Sequence, residues 1–227
     1  MKHLTIAIDG PAGAGKSTIA RRLARRLNIL YMDTGAMYRA VGLAALRRGI
    51  RPGYGPDVER LLTEIEIDIC FSEGEQHVLI DGEDVTTLIR TPDVSMAASD
   101  ISALPVVRHR LVELQRQIAA RQPLVIDGRD IGTYVLPDAP YKFFLTASVQ
   151  ERARRRLADL RSQGDRSTTQ DQVMQDMEIR DRQDSQREMA PLCQADDALL
   201  VDSTGLSIDE VIDLILANIN NNRPVAG

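Results

Sequence analysis

A chain of 227 residues can bury a full core and suits one α/β domain with room for an inserted subdomain. Its net charge of −5 argues against sequence-independent nucleic-acid binding, which needs a basic surface. Two cysteines without CxxC or zinc-like spacing argue against a disulfide framework. With no signal-peptide pattern and no 18-residue apolar run, a cytoplasmic protein that leaves membranes alone is expected.

Residues 4–8 (LTIAI) are apolar and β-branched, as in a buried strand. The loop after them matches G-x-x-x-x-G-K-[ST]: Gly10, Pro11, Ala12, Gly13, Ala14, Gly15, Lys16, Ser17, followed by Thr18. Glycines let several backbone N–H groups turn onto one anion, and the helix predicted from Lys16 adds its N-terminal dipole. Lys16 then reaches the terminal phosphates of a nucleotide, and the Ser17 hydroxyl is placed for Mg²⁺. Ile19, Leu23 and Leu27 give that helix its buried face.

Residues 65–90 break the α/β rhythm. "IEIDICF" alternates, "HVLI" is apolar and "DG" signals a hairpin, so a small antiparallel insert is predicted. A helix starting near Pro105 follows, with Val107, Leu111, Leu114 and Ile118 on one face. "PLVID" (123–127), "YKFFLT" (141–146) and "ALLVD" (198–202) are short apolar runs without strict alternation, the pattern of a parallel sheet covered on both faces. Asp127 ends its run where a nucleotide-binding fold places a carboxylate near Mg²⁺. Arg129 and Asp130 follow at the strand end, where open α/β sheets form their ligand crevice. "SVQE" (148–151) and "SIDE" (207–210) read as capping boxes, the second opening a helix that buries Val211, Ile212, Ile215 and Ile219. Residues 161–191 are almost entirely polar; composition alone reads them as a solvated helical hairpin. "NNNRPVAG" at the end is expected to fray.

The phosphate loop serves kinases, switches and motors alike. A guanine-reading N-K-x-D is absent from the chain, which disfavours a GTP switch, and nothing suggests the large or ring-forming chain of a motor. Arg39, Arg108, Arg129, Arg152, Arg156, Arg180 and Arg187 lie on separate segments. A phosphoryl-transfer site needs such groups to neutralise two phosphate ends, so a small kinase is the reading that the residues favour.

"IDGPAGAGKST", "YMDTGAMYRA", "IRTPDVSMAASDIS", "VIDGRDIGTYVLPDAPYKFFL" and "RDRQDSQREMAPL" together resemble the bacterial cytidylate kinases, nucleoside-monophosphate kinases that use ATP to phosphorylate CMP and dCMP. The resemblance runs from about residue 4 to 218. It implies a P-loop three-layer fold with a five-stranded parallel sheet, helices on both faces, an antiparallel monophosphate-binding insert and a helical lid. The core would span about 1–60, 105–157 and 190–222, the insert about 61–104 and the lid about 158–189. Under it the polar stretch becomes a lid that excludes water. Arg39, Arg129 and Arg187 resemble acceptor-phosphate ligands, and Thr34 lies near the base. Ser99, Arg108 and Asp130 resemble the cytosine-reading set, Arg180 and Asp184 the ribose contacts, and Arg152 and Arg156 donor-side arginines. Cytosine chemistry agrees with Asp130: a carboxylate that accepts from the N4 amine rewards cytosine and repels the O4 of uracil. The alternative is another small P-loop kinase, acting on UMP or a hydroxylated acceptor such as shikimate. A monomer is expected, since no long apolar stripe is left over once the helices are packed.

Overall fold

The computed structural model describes residues 3–53, 55–162 and 164–221; most of the tail expected to fray lies outside them. In chain order the strands are β1 (Thr5–Asp9), β2 (Leu30–Asp33), β3 (Ile67–Ser72), β4 (Glu75–Ile80), β5 (Glu83–Asp84), β6 (Leu124–Asp127), β7 (Tyr141–Thr146) and β8 (Leu199–Asp202). The helices are α1 (Lys16–Leu27), α2 (Thr34–Arg47), α3 (Gly55–Glu64), α4 (Pro92–Ser102), α5 (Pro105–Ala119), α6 (Val149–Ser162), α7 (Gln170–Ser185) and α8 (Ile208–Asn221). Five strands form one parallel sheet in the order β2-β6-β1-β7-β8, and β3-β4-β5 form a separate antiparallel sheet.

Both faces of the parallel sheet are covered, which explains its continuous apolar strands. Ile6, Ile8, Val125 and Phe143 face α1 and α8, meeting Ile19, Leu23, Val211, Ile212, Ile215 and Ile219. Their neighbours along the strands, Ala7, Leu124 and Ile126, turn to the other face and join Met37, Val41, Val107 and Leu111 of α2 and α5. Each fully buried aliphatic side chain contributes roughly 1.5–3 kcal/mol, so the two layers supply most of the stabilisation.

The insert folds as expected. Asp81 and Gly82 both take positive φ (51° and 81°), the turn that joins β4 to β5 with the natural strand twist. Glu73 and Gly74 do the same between β3 and β4. Ile69, Val78 and Ile80 of this sheet join the apolar layer of α2, and polar contacts, Arg47–Glu83 among them, attach it further. Glu75 pairs with Arg21 and Arg25 of α1. The Gln76 amide accepts from Asp33 N at 2.6 Å and donates to Asp33 O at 3.2 Å, filling the outer side of edge strand β2. Helices α2 and α4 pack closely because Gly42 leaves room: a Cβ there would sit 3.1 Å from Ala98 N.

The polar stretch forms two packed helices, α6 and α7, around a small cluster of Ala153, Val173 and Met177, with Leu157, Leu160 and Met174 at its rim. Thr169 and Gln172 make a reciprocal capping box at the start of α7. Of the two boxes expected from sequence, that of Ser207 and Glu210 forms fully. At Ser148 only half does. Glu151 N donates to Ser148 Oγ at 3.2 Å, but the Glu151 carboxylate is drawn to Arg154 and Arg155 instead.

Gly10 has φ 145°, and a Cβ there would run into the Leu145 carbonyl. Gly49 also has positive φ (64°) but open space around it. Gly10→Ala should therefore destabilise by on the order of 3 kcal/mol and Gly49→Ala by about 1 kcal/mol, read from urea midpoints. Equal losses would show that backbone conformation alone, not the Leu145 contact, sets the requirement at Gly10.

Candidate active site

The sheet brings two loops to one end. β1 and β6 pair with Ile8 opposite Asp127, so the phosphate loop and the 127–130 turn leave the sheet side by side. A cleft of about 820 Å³ opens over them. Residues 12–18 form part of its wall; Gly10 and Pro11 stand behind it.

Helix α1 starts at Gly15, which has φ 92° and lends no side chain to the first turn. The starts of α2, α4 and α7, by contrast, are capped by Asp33, Thr91 and Thr169. An uncapped helix start in a glycine loop presents its N–H groups to an anion. Lys16 is buried and its ammonium donates to Pro11 O at 2.8 Å. Burial, followed by the Arg129 guanidinium, pushes the Lys16 ammonium below its ordinary value.

Asp127 is buried and accepts from Ser17 Oγ at 3.0 Å and from Tyr31 Oη at 2.8 Å. Burial and the nearby Asp33 carboxylate push its carboxyl above the ordinary range. A lysine inclined to lose its charge and a carboxylate inclined to gain a proton fit a site completed by a polyanion and a cation. Polyphosphate would restore the Lys16 charge, and a divalent cation that of Asp127. Ser17 and Asp127 are the oxygen ligands at hand, of the type that Mg²⁺ takes. Thr34 Oγ1 donates to Asp127 O at 2.7 Å, which spends its hydroxyl on joining the ends of β2 and β6.

Also lining the cleft, Arg108, 1% exposed, donates to Asp130 and to Ser102 O, the latter at 3.3 Å. Its guanidinium lies over the Tyr38 ring, 5.8 Å from the centroid. Among the described residues Arg108 Nε has no hydrogen-bond partner, and it is buried. Asp9 holds the next turn in place: its carboxylate accepts from Ile131 N at 2.8 Å and Gly132 N at 2.7 Å. Ser99 on α4 donates to Gln183 Oε1 on α7 at 3.3 Å, so the insert side and the polar helices meet across the cleft. Arg39 pairs with Asp33 at 2.7 Å.

Helix α7 supplies Arg180, Asp184 and, just beyond its end, Arg187. Asp184 accepts from Arg129 Nε at 2.7 Å and from Arg187. Burial alone would raise its carboxyl, but Arg129 and Arg187 hold it down at about 2. Of the two arginines expected on the donor side, Arg156 lines the cleft. Arg152 does not: it is buried, with its guanidinium bonded to Ala147 O, Ala12 O and Asp181. Arg155, which the sequence did not single out, lines the cleft and reaches Ser203 Oγ at 3.0 Å and Ala14 O at 3.4 Å. Tyr31, Asp33, Tyr38 and the 203–208 segment are further wall or support residues missed from sequence. Their signal is positional, and only strand register reveals it.

Asp184 titrates at about 2 in the fold against its ordinary 3.8. A depressed carboxyl stabilises the fold above its unfolded value and loses that contribution as pH falls through the folded one. The contribution is about 2 kcal/mol, lost between roughly pH 4 and 2. Asp184→Asn should thus be less stable than the parent at pH 7, and the two urea midpoints should converge towards pH 2.5. Curves that stay parallel would remove Asp184 from the acid response.

The cytidylate kinase family profile matches residues 6–221. A cytidylate kinase from Caldicellulosiruptor bescii is 49% identical over 95% of each chain. One from Desulfitobacterium hafniense is 52% identical over 97% of this chain and 94% of its own. Among solved structures, an uncharacterized protein from Eubacterium ventriosum aligns over 97% of this chain with a TM-score of 0.55 at 16% identity, a likeness of fold alone. With a profile spanning nearly the whole chain, and relatives about half identical over the same length, the chain belongs to the cytidylate kinase family.

Proposed function

We propose that the chain transfers the γ-phosphoryl group of Mg-ATP to the phosphate of CMP or dCMP, forming CDP or dCDP and ADP, as a cytoplasmic monomer. The observation that supports this reading is that one cleft is lined both by the phosphate loop at the uncapped start of α1 and by the buried Arg108–Asp130 pair. Donor and acceptor phosphates can then meet between the two.

The donor half is the loop from Gly10 to Thr18. Its N–H groups and Lys16 take the β- and γ-phosphates, with Arg156 and Arg155 above them. Ser17 and Asp127 would hold Mg²⁺, Asp127 through water, and Tyr31 fixes the orientation of the carboxylate. The metal supplies charge neutralisation at the phosphates. In the acceptor half Arg39, Arg129 and Arg187 bind the CMP phosphate, Arg180 and Asp184 the ribose, and Ser99, Arg108 and Asp130 the cytosine. Thr34 braces this end through Asp127 O. The insert at about 61–104 carries the acceptor wall, and the lid at about 158–189 carries the ribose and phosphate groups.

The CMP phosphate oxygen is already a nucleophile, so the site needs neither a strong base nor a covalent intermediate. Its residues act by in-line positioning and by neutralising charge that develops between two phosphates. Asp130 accepts from cytosine N4, while Arg108 and the Ser99 hydroxyl donate to N3 and O2. Uracil would leave these groups unpaired, a mismatch that can reach discrimination on the order of 10⁴.

ADP formation with CMP, dCMP, UMP, AMP and shikimate in turn, each with Mg-ATP, tests the reading. CMP and dCMP should be the strong acceptors; preference for any other overturns it. Asp130→Asn should lower the CMP/UMP ratio of kcat/KM by on the order of 10²-fold while ATP binding persists. An unchanged ratio removes Asp130 from base reading. Lys16→Ala should reduce turnover by at least 10²-fold in a folded protein; retained activity would sink the assignment of the loop.

A further inference from the structure

Helix α7 bears two carboxylates three residues apart, and each is tied to a different loop of the cleft. Asp184 is held by Arg129, on the turn after β6. Asp181 instead faces the phosphate loop: its Oδ2 pairs with Arg152 NH1 at 2.6 Å, and its Oδ1 accepts from Ala12 N at 3.4 Å. The same Arg152 nitrogen donates to Ala12 O at 2.9 Å, and Arg152 Nε donates to Ala147 O at 3.1 Å. Both backbone polar groups of Ala12 are therefore engaged, one by each member of the pair. Beside them Met177 closes over Gly13, where an added Cβ would stand 2.7 Å from Met177 Cε and 3.2 Å from Arg152 Cβ. The pair is enclosed, with 5% of the Arg152 side chain and 22% of that of Asp181 exposed.

We infer that Arg152 and Asp181 are positioning residues that latch α7 to Ala12 of the phosphate loop, so that filling the donor site orders the helix carrying Arg180, Asp184 and Arg187. The role of α7 in holding the acceptor rests on the proposed function; the latch itself rests on the contacts above. Arg152 commits its Nε and Nη1 to protein oxygens and lies outside the cleft lining, which places it to act through Ala12. Met177 and Asp181 lie on the stripe of α7 next to the one that presents Arg180 and Asp184 to the cleft. A shift at Ala12 is then passed across one helix width. Coupling of this kind is reciprocal: whatever tightens the acceptor side when the donor is bound must tighten the donor side when the acceptor is bound.

The test uses the full chain and the non-hydrolysable analogue adenylyl imidodiphosphate with magnesium. Hydrogen exchange of residues 170–185 should slow when the analogue alone is added to the parent protein. In Asp181→Ala and Arg152→Lys that protection should be lost, although the analogue still binds; a lysine has one nitrogen where Arg152 uses two, Nε and Nη1, to span its acceptors. CMP affinity should rise about tenfold with the analogue present in the parent and stay nearly constant in Asp181→Ala, a loss of coupling within the usual range. Asp181→Asn, which keeps an acceptor for Ala12 N but drops the ion pair, should fall between and guards against a variant that misfolds. Equal protection of α7 in parent and folded variants would overturn the latch. So would a simple loss of analogue affinity in Arg152→Lys with α7 protection intact, the signature of a phosphate ligand. If the parent protein fails to phosphorylate CMP, the functional reading fails, yet the exchange result with the analogue alone still decides the latch.

Discussion

Ile8 and Asp127 are partners in the middle of the parallel sheet, and the polar geometry of the cleft hangs on that register. It brings the carboxylate at the end of β6 within hydrogen-bond reach of the first turn of α1, where Ser17 meets it. The next strand repeats the alignment, with Asp33 opposite Asp127. Side chains alternate along a strand, so a slip of one residue would send Asp127 into the apolar layer under α2 and α5 and leave Ser17 without a partner. The continuous aliphatic packing on both faces makes such a slip prohibitive. The apolar core and the polar site are thus two consequences of one pairing.

Both signs of charge line the cleft: Lys16, Arg129, Arg180 and Arg187 stand with Asp127 and Asp184. Burial weakens the charge on Lys16 and Asp127, while the close arginines keep Asp184 ionised. Burial also raises the Asp130 carboxyl and lowers the Arg180 guanidinium, so Asp184 is the settled charge among them. Carboxylates hold the cationic groups apart, and under the proposed function phosphates would take the place of those carboxylates as partners. Solvent reorganisation during transfer is then small, because the dipoles and charges are already held in place.

Much of this was legible in the sequence wherever chemistry demands a residue type at fixed spacing. The glycine loop, the carboxylate at the end of "LVID" and the two-residue "DG" turn each have few alternatives. Other parts were hidden for physical reasons. Helix α4 buries Val94, Ala97, Ala98 and Ile101, small residues that make a faint apolar stripe, although Thr91 and Pro92 mark its start. Along "RARRR" the i,i+4 spacing pairs Arg152 with Arg156, but Ala153 packs under α7 and fixes the rotation of α6. That rotation buries Arg152 and brings Arg155 to the cleft. Tyr31 and Asp33 acquire their roles only from the pairing of β2 with β6, which no local pattern encodes.

The Gln76 amide on the outer side of β2 bears on how separable the insert is. An outermost strand with free N–H and C=O groups is a template on which another chain can pair. Here a side chain from the insert occupies one such N–H and C=O, those of Asp33, in the manner of a missing strand. The insert therefore covers part of that edge, and its helix α4 also lines the cleft. A chain trimmed of the insert would lose more than that wall: it would expose an adhesive edge beside the cleft.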